Sequence, residues 1–298
     1  MGMKDIINEF LAYLTLERKY SDYTQVNYAI DLDKYAQFLA QTKRHYLKIK
    51  YQDLSEYIIY LKKSGYGART INRQLSALRS FYHYLVQQQK IKSNPFDLVK
   101  GVKTEKRLPN YFKYEEFIAM LNVLNKNDPL NIRNRLILEL LLATGMRVSE
   151  LVNIKLIDLD LKTKELKVIG KGRKERIVFF GPEAASAIQN YLDYSRSSLL
   201  KDKVSEYLLL NHLGNKLTSR GVSLIIEKVI EESAVTSKVS PHTFRHTFAT
   251  LMLNNGCNIK SVQELLGHVS LDTTSIYTHL TNDEIRVAYL KSHPRAKK

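Results

Sequence analysis

The sequence has little of what marks secreted and membrane proteins. Cys257 is its single cysteine, so no internal disulfide can form, which fits a reducing compartment. The first residues, MGMKDIINEF, contain no long apolar stretch and no cleavage site for a leader peptide. The chain has no run of about 18 apolar residues, as a transmembrane helix requires. These absences predict a cytoplasmic protein without a membrane partner.

Acidic residues are scarce relative to basic ones. Among 298 residues, 46 are Lys or Arg and 30 are Asp or Glu, so the formal net charge is +16. Residues 1–100 carry 16 basic and 9 acidic residues, so the excess is not confined to a tail. A positive field over a whole protein attracts polyanions, most commonly nucleic acid. We therefore expect nucleic-acid binding, with a merely solvated basic surface as the alternative.

The chain length indicates two domains, at roughly 150 residues each. Apolar residues recur at helical spacing through residues 1–99, which predicts a domain of four helices. Residues 100–112, KGVKTEKRLPNYF, are basic and aperiodic, and we interpret them as a linker. Residues 113–298 are predicted to form a mixed domain, with helices, one of them over about 183–199, and two strands flanking Gly170 and Gly172. The predicted fold class is mainly α with a small β-sheet.

Several charged residues in the second domain lie near glycines at predicted turns or helix junctions. In ATGMRVSEL, Arg147 follows a glycine at a helix junction, and Glu150 is spaced to orient its guanidinium. Taken alone, a surface ion pair is the simpler interpretation. Lys171 lies at the tip of the glycine-flanked hairpin. A lysine there is usually solvated, but a flexible hairpin can also deliver an ammonium group into a cleft.

A histidine-rich cluster, PHTFRH, begins a predicted helix that is capped by Ser240. His242 and Arg245 share a face near the helix N-terminus, where phosphate is favoured. The spacing of His242 and His246 suits a metal, but Arg245 would lie beside the cation. No acidic or cysteine ligand accompanies them, so we predict no metal and no cofactor. His246 is interpreted as structural.

Two further residues become informative only in combination. His268 follows Leu-Leu-Gly just past a predicted helix, and Tyr277 is one of 19 tyrosines. Together with the residues above, they form an ordered set that resembles the catalytic signature of tyrosine recombinases, the lambda-integrase and Xer superfamily. In chain order the set is Arg147, Lys171, His242, Arg245, His268 and Tyr277.

Longer segments carry the same resemblance. ATGMRVSELVNI, GKGRKER, PHTFRHTFATLMLNNG and VQELLGHVSLDTTSIYTH are similar to Xer proteins, and the ending HPRAKK is most similar to the XerC branch. In the first domain, INRQLSALRSFYHYL resembles the core-binding helix of the family. The resemblance spans essentially the whole chain. It implies a C-shaped DNA clamp, with a helical, SAM-like core-binding domain and a tyrosine recombinase catalytic domain.

The resemblance also implies a chemistry that needs neither metal nor ATP. Tyr277 would attack the scissile phosphate and leave a 3′-phosphotyrosine and a free 5′-hydroxyl. Arg147 and Arg245 would clamp the non-bridging oxygens. The remaining expected roles are a phosphate hydrogen bond from His268, proton donation by Lys171, assistance to tyrosine or phosphate by His242, and orientation of Arg147 by Glu150.

The implied partners are double-stranded DNA with a dif-like site, a second Xer recombinase in a tetramer, and an activating DNA translocase. The implied role is resolution of chromosome dimers. Candidate DNA contacts are Arg69, Arg73 and Arg79 on the fourth helix. Residues 282–298 are predicted to dock on the adjacent subunit through a short apolar helix capped by Asn282. The alternative is that this segment folds back on its own domain.

Other functions share part of this pattern. Integrases or resolvases of phages, plasmids and conjugative elements use the same chemistry but usually carry an additional N-terminal arm-binding domain. The chain begins directly at core-binding helices, which favours a Xer protein. A type IB topoisomerase shares the chemistry without a defined site. A non-catalytic architectural DNA-binding protein is a third alternative, and the full catalytic set argues against it.

Overall fold

The computed structural model describes residues 2–18, 20, 22–104, 110–170, 174–267 and 281–296. The chain divides into two compact units, residues 1–106 and 107–298, and this boundary lies within the basic segment 100–112. The expected fold class, mainly α with a small β-sheet, is confirmed. Among the described residues, no helix is both long and apolar enough to cross a bilayer.

The first unit consists of helices packed around an aromatic core. Buried tyrosines are satisfied within this core, as the cost of burying a free hydroxyl requires. Tyr35 and Tyr82 share a hydroxyl hydrogen bond of 3.0 Å, and Tyr57 donates to the Gln74 side chain at 2.9 Å. Its described helices are α1 (Met3–Leu16), α2 (Asp22–Gln41), α3 (Tyr51–Lys63) and α4 (Ala68–Gln87).

The second unit surrounds one almost entirely buried helix, α6, with other helices and a small sheet. Its helices up to the sheet are α5 (Tyr114–Asn122), α6 (Pro129–Thr144) and α7 (Val148–Leu151). The antiparallel sheet, in the order β1-β2-β3, consists of β1 (Leu159–Asp160), β2 (Glu165–Ile169) and β3 (Glu175–Phe179). The later helices are α8 (Pro182–Asn190), α9 (Arg196–Leu200), α10 (Ser219–Glu232), α11 (Pro241–Asn254), α12 (Ile259–Leu266) and α13 (Asn282–Ser292).

Two details of this unit differ from the sequence-based expectation. The single helix expected over 183–199 is interrupted by a π-helical turn, Tyr191–Ser195. In that turn Tyr191 is fully buried, and its hydroxyl accepts a hydrogen bond from the Leu210 N–H at 3.3 Å. The sheet has a third strand, β1, whose two residues are too few to show an alternating pattern.

The turn after α6 sets the start of α7. Gly145 ends α6 in the left-handed region, with φ of 59°. A Cβ atom added there would lie 2.5 Å from the Phe248 ring and 2.9 Å from the Leu266 side chain. Glycine is therefore needed both for the backbone conformation and for the close approach of α11 and α12. This turn places Arg147 at the N-terminus of α7.

Docking of the C-terminal segment, residues 282–298, on an adjacent subunit stays a prediction. In the described residues, up to 296, this segment packs on its own unit. Ile285 and Tyr289 are buried with Phe248 of α11, and Arg295 is ion-paired with the buried Glu139 at 2.5 Å. Of the apolar residues on α13, only Val287 and Leu290 remain well exposed.

The expected N-cap of α13 is wrong by one residue. Thr281, and not Asn282, is the N-cap. The Thr281 hydroxyl accepts the Glu284 N–H, and the Glu284 carboxylate accepts the Thr281 N–H at 2.7 Å. This reciprocal pair satisfies two N–H groups, whereas Asn282 is already the first helical residue.

Candidate active site

Arg147 and Glu150 lie together, as their spacing predicts. The Arg147 guanidinium donates to the Glu150 carboxylate at 2.9 Å, and the Arg147 backbone N–H donates to the other oxygen at 2.8 Å. The Glu150 side chain is only 2% exposed, whereas that of Arg147 is 35% exposed. This pair is therefore not a surface ion pair: a buried carboxylate holds a guanidinium that still reaches the surface.

Arg245 and Arg147 converge on the same helix end. Arg245, on α11, donates to the carbonyl of Gly145 at 2.9 Å and to that of Leu266 at 2.6 Å. Arg147 donates to the next carbonyl along, that of Gly267, at 3.3 Å. The C-terminal carbonyls of α12 have no partner within their own helix, and the negative end of the helix dipole favours cations there. Both guanidinium groups are thus fixed by backbone acceptors.

Positive charge exceeds negative charge in this region. Burial, and then the nearby charge of Arg147, lower the pKa of the Arg245 guanidinium to about 10, so it is still charged at neutral pH. Burial opposes ionisation of Glu150, but hydrogen bonds and charge from Arg176, and then Arg147, outweigh it and lower its pKa. In the described part of the site, three guanidinium groups share this one carboxylate. Such a cluster attracts an anion with several oxygens.

The histidines on α11 are both exposed, and His242 lies in the first turn of the helix, three residues before Arg245. Ser240 caps this helix as predicted, with its hydroxyl accepting the Thr243 N–H at 3.3 Å. The exposure of His246 removes the reason to regard it as a buried structural residue.

Three of the expected catalytic residues, Lys171, His268 and Tyr277, lie outside the described residues. The described chain neighbours of Lys171 and His268 belong to the site. Gly170, next to Lys171, closes the hairpin by donating to the Lys174 carbonyl at 2.8 Å. Gly267, next to His268, is the residue whose carbonyl Arg147 binds.

Arg176 is a member of this site that sequence reasoning missed. It lies on β3 and holds both oxygens of Glu150, at 2.9 Å each. A carboxylate as buried as Glu150 requires more than one cationic or N–H partner. The signal in the sequence was the arginine that closes GKGRKER, but its contact with Glu150 spans 26 residues and no local pattern predicts it.

The candidate DNA contacts of the first unit differ in their surroundings. Arg69 is exposed. Arg73 is ion-paired at 2.5 Å with Asp31, whose side chain is 1% exposed, while its own side chain remains 41% exposed. Arg79 is half-buried and donates to the carbonyls of Phe96 and Val99, which ties α4 to the segment after it. Arg69 and Arg73 therefore have more free surface for DNA than Arg79.

Comparison with known proteins matches both units. The phage integrase family matches residues 110–284, and the phage integrase N-terminal SAM-like domain matches residues 7–89. The chain belongs to the phage integrase family. The expected relationship to Xer-type tyrosine recombinases, most like the XerC branch, is confirmed. The expected relationship to enzymes that cleave and rejoin DNA through a tyrosine intermediate is confirmed as well.

Individual relatives are similar over nearly their full length. The tyrosine recombinase XerC of Halalkalibacterium halodurans is 42% identical over 295 residues, which is 97% of each chain. The tyrosine recombinase XerC of Listeria innocua is 43% identical over 291 residues, 96% of this chain and 97% of the relative. Among solved structures, the XerH site-specific recombinase bound to palindromic difH substrate has a TM-score of 0.71 at 22% identity, covering 93% of this chain and 78% of that one. That likeness supports the fold.

Proposed function

We propose that this protein is a site-specific recombinase that cuts and rejoins double-stranded DNA, with Tyr277 as the nucleophile. The observation that carries the proposal is the pair of guanidinium groups, Arg147 and Arg245, fixed at one helix end with a surplus of positive charge. Bringing like charges together is unfavourable unless an anion separates them. A scissile phosphate is such an anion, and it fits the basic charge of both units.

The roles follow from the chemistry of phosphoryl transfer. The Tyr277 oxygen attacks phosphorus, the bond from phosphorus to the 5′-oxygen breaks, and a 3′-phosphotyrosine forms. Negative charge grows on the non-bridging oxygens, where Arg147 and Arg245 donate hydrogen bonds. A well-placed donor of this kind contributes about 3–4 kcal/mol. Backbone carbonyls and Glu150 hold the two guanidiniums before substrate arrives, so little reorganisation is needed.

Proton transfers complete the reaction. We propose that Lys171 protonates the departing 5′-oxygen, and that His242 accepts the tyrosine proton or assists the phosphate. His268 would add a hydrogen bond to the phosphate. The covalent link conserves the energy of the phosphodiester, so a 5′-hydroxyl from the partner duplex can attack it and reseal the strand without ATP.

The biological role that we propose is resolution of chromosome dimers at a dif-type site in the cytoplasm, with a second Xer recombinase in the tetramer and a DNA translocase as activator. Its support is the similarity to relatives named tyrosine recombinase XerC over nearly the whole chain. The second candidate is an integrase or resolvase of a mobile element, because those enzymes share the same chemistry. Cleavage of a dif-type site, compared with an attachment site, distinguishes the two.

Covalent capture on a nicked dif-type substrate tests the chemistry. After cleavage next to a nick, the short 5′-hydroxyl fragment diffuses away and the protein–DNA link accumulates. We expect the unsubstituted protein to yield this product with no added metal or ATP. Tyr277→Phe should bind the site but yield none, whereas Tyr194→Phe, at a tyrosine 71% exposed, should cleave normally. Covalent product from Tyr277→Phe would overturn the assignment.

A further inference from the structure

Arg176 has an unusually complete set of contacts for a residue that is not part of the expected catalytic set. Two of its terminal N–H groups bind the two Glu150 oxygens at 2.9 Å each, and its Nε donates to the Leu265 carbonyl at 3.1 Å. The Arg176 side chain is 15% exposed. All three nitrogens of one planar group are therefore engaged, which fixes its orientation.

The stem of the Arg176 side chain also fits closely against the end of α12. A Cβ atom added at Gly267 would lie 3.1 to 3.3 Å from the Cδ, Nε and Cζ atoms of Arg176. Gly267 itself has φ of 62°, in the left-handed region. Arg176 thus contacts the last turn of α12 through a hydrogen bond and through packing, immediately before the chain reaches His268.

The same residue belongs to the hairpin that carries Lys171. Arg176 pairs with Val168 across β2 and β3, and the strands continue to the Ile169–Glu175 pair. Gly170 then closes the loop. One side chain consequently connects three parts of the chain: the Lys171 hairpin, the Glu150–Arg147 pair, and the end of α12 that leads to His268.

We propose that Arg176 is a positioning residue for the recombination reaction, holding Arg147 in place through the Glu150 carboxylate. This inference rests on the proposed function. Glu150 receives one hydrogen bond from each arginine on each oxygen, so Arg176 restricts the carboxylate plane that orients Arg147. Misplacement of a reacting group by about 1 Å can cost about 100-fold in rate.

Loss of Arg176 should change the titration of Glu150. The described charged groups that face this carboxylate are Arg147 at the start of α7, Arg176 on β3 and Arg245 on α11. Burial alone raises the pKa of a carboxyl group, and Arg176 supplies the strongest opposing interaction. Without it, Glu150 takes up a proton at higher pH and loses acceptor capacity for Arg147.

The test compares Arg176→Met with a matched control, Arg286→Met. Arg286, on α13, also pairs with a carboxylate of the same unit, Glu165 at 3.2 Å, and with a carbonyl, that of Thr163, but it does not contact Glu150. Single-turnover covalent cleavage, half-site affinity and thermal midpoint are measured on the full chain. We expect Arg176→Met to cleave about 10–100-fold more slowly while affinity stays within about 3-fold. Arg286→Met should cleave within about 2-fold of the unsubstituted protein.

Two readouts separate positioning from a general loss of stability. In an Arg147→Ala background, Arg176→Met should slow the residual cleavage less than about 3-fold, because both act through one group. The cleavage rate of Arg176→Met should also fall on acidification at a higher pH than that of the unsubstituted protein. Full additivity with Arg147→Ala, or an unshifted pH profile, would overturn the proposal.

A second variant covers the case in which Arg176→Met does not fold. Arg176→Lys keeps one charge for Glu150 but cannot bind both oxygens and the Leu265 carbonyl together. We expect it to fold and to cleave at an intermediate rate. Cleavage by either variant at the unsubstituted rate would refute the role of Arg176. Absence of covalent product from the unsubstituted protein would instead refute the proposed recombinase chemistry.

Discussion

The ion pair between Arg295 and Glu139 offers the sharpest test of how the C-terminal segment is held. Arg295 is 8% exposed and donates to Glu139 at 2.5 Å and to the Tyr114 hydroxyl at 2.9 Å. Glu139, on α6, is only 1% exposed. Removing one partner of a buried pair costs about 3–5 kcal/mol, because the other charge stays buried. Arg295→Met should therefore lower the thermal midpoint of the catalytic unit by roughly 6–20 °C.

Matched variants show whether the loss comes from the unpaired charge. Glu139→Gln combined with Arg295→Met leaves no buried charge, so the double variant should be more stable than Arg295→Met alone. Arg286→Met breaks a pair whose arginine is 40% exposed, and it should cost at most about 1 kcal/mol. Thermal unfolding followed by circular dichroism measures all three. A midpoint for Arg295→Met equal to that of Arg286→Met would refute the anchoring role.

The pH dependence of Arg295→Met provides an independent check on the same pair. Burial raises the pKa of the Glu139 carboxyl, and Arg295 opposes that rise. A carboxyl whose folded pKa is raised stabilises the fold at low pH and loses that contribution as pH rises through the folded pKa. The loss of stability in Arg295→Met relative to the unsubstituted protein should therefore be smaller at acidic than at alkaline pH. An equal loss of stability at all pH values would contradict burial of the carboxylate.

Four further outcomes are expected. Gly181→Ala should displace the C-terminal tail and lower the thermal midpoint far more than Gly67→Ala, because a Cβ at Gly181 would lie 1.7 Å from the Arg295 carbonyl oxygen and one at Gly67 meets open space. Burial lowers the pKa of His293 from 6.5 to about 4. The free energy of unfolding should therefore fall by up to about 3 kcal/mol as pH falls through that window, and by less in His293→Gln, as measured by unfolding titrations at several pH values. Arg245→Lys should slow covalent cleavage by about 100-fold or more at nearly unchanged DNA affinity, since a point charge cannot replace the planar donor set; near-normal rates would count against the clamp. DNA affinity measured by anisotropy should fall by roughly 10³–10⁵-fold between about 50 and 200 mM salt if about 6–10 phosphates are contacted. An affinity that does not change with salt would contradict binding through phosphate contacts.

The sequence was most informative where a local pattern is sufficient. The apolar stripe of α4 and the capped start of α11 follow from helical spacing and from a serine before a proline. The proximity of Arg147 and Glu150 follows from their separation of three residues. Arg245 was selected by resemblance, and the structure adds what holds it: the carbonyls of Gly145 and Leu266.

Long-range burial was beyond such patterns. No local pattern indicates what the C-terminal segment packs against. In the structure Tyr289 is fully buried, and His293 binds the Leu142 carbonyl at 3.1 Å, 151 residues away in the chain. Neither histidine nor arginine is recognisable in sequence as a core residue, because each becomes one only when a distant partner satisfies its polar atoms. The same reason explains why Arg176 was missed.

Identification of the DNA-linked residue shows directly which side chain is the nucleophile. The covalent product trapped on a nicked dif-type site is digested with protease and nuclease, and the nucleotide-bearing peptide is sequenced by mass spectrometry. We expect a single modified peptide, with the 3′-phosphate attached to the Tyr277 oxygen, and none from Arg245→Lys at matched early times. A phosphate attached to another residue, or a protein that binds the site tightly and never becomes linked to it, would contradict the assignment of Tyr277 as the nucleophile.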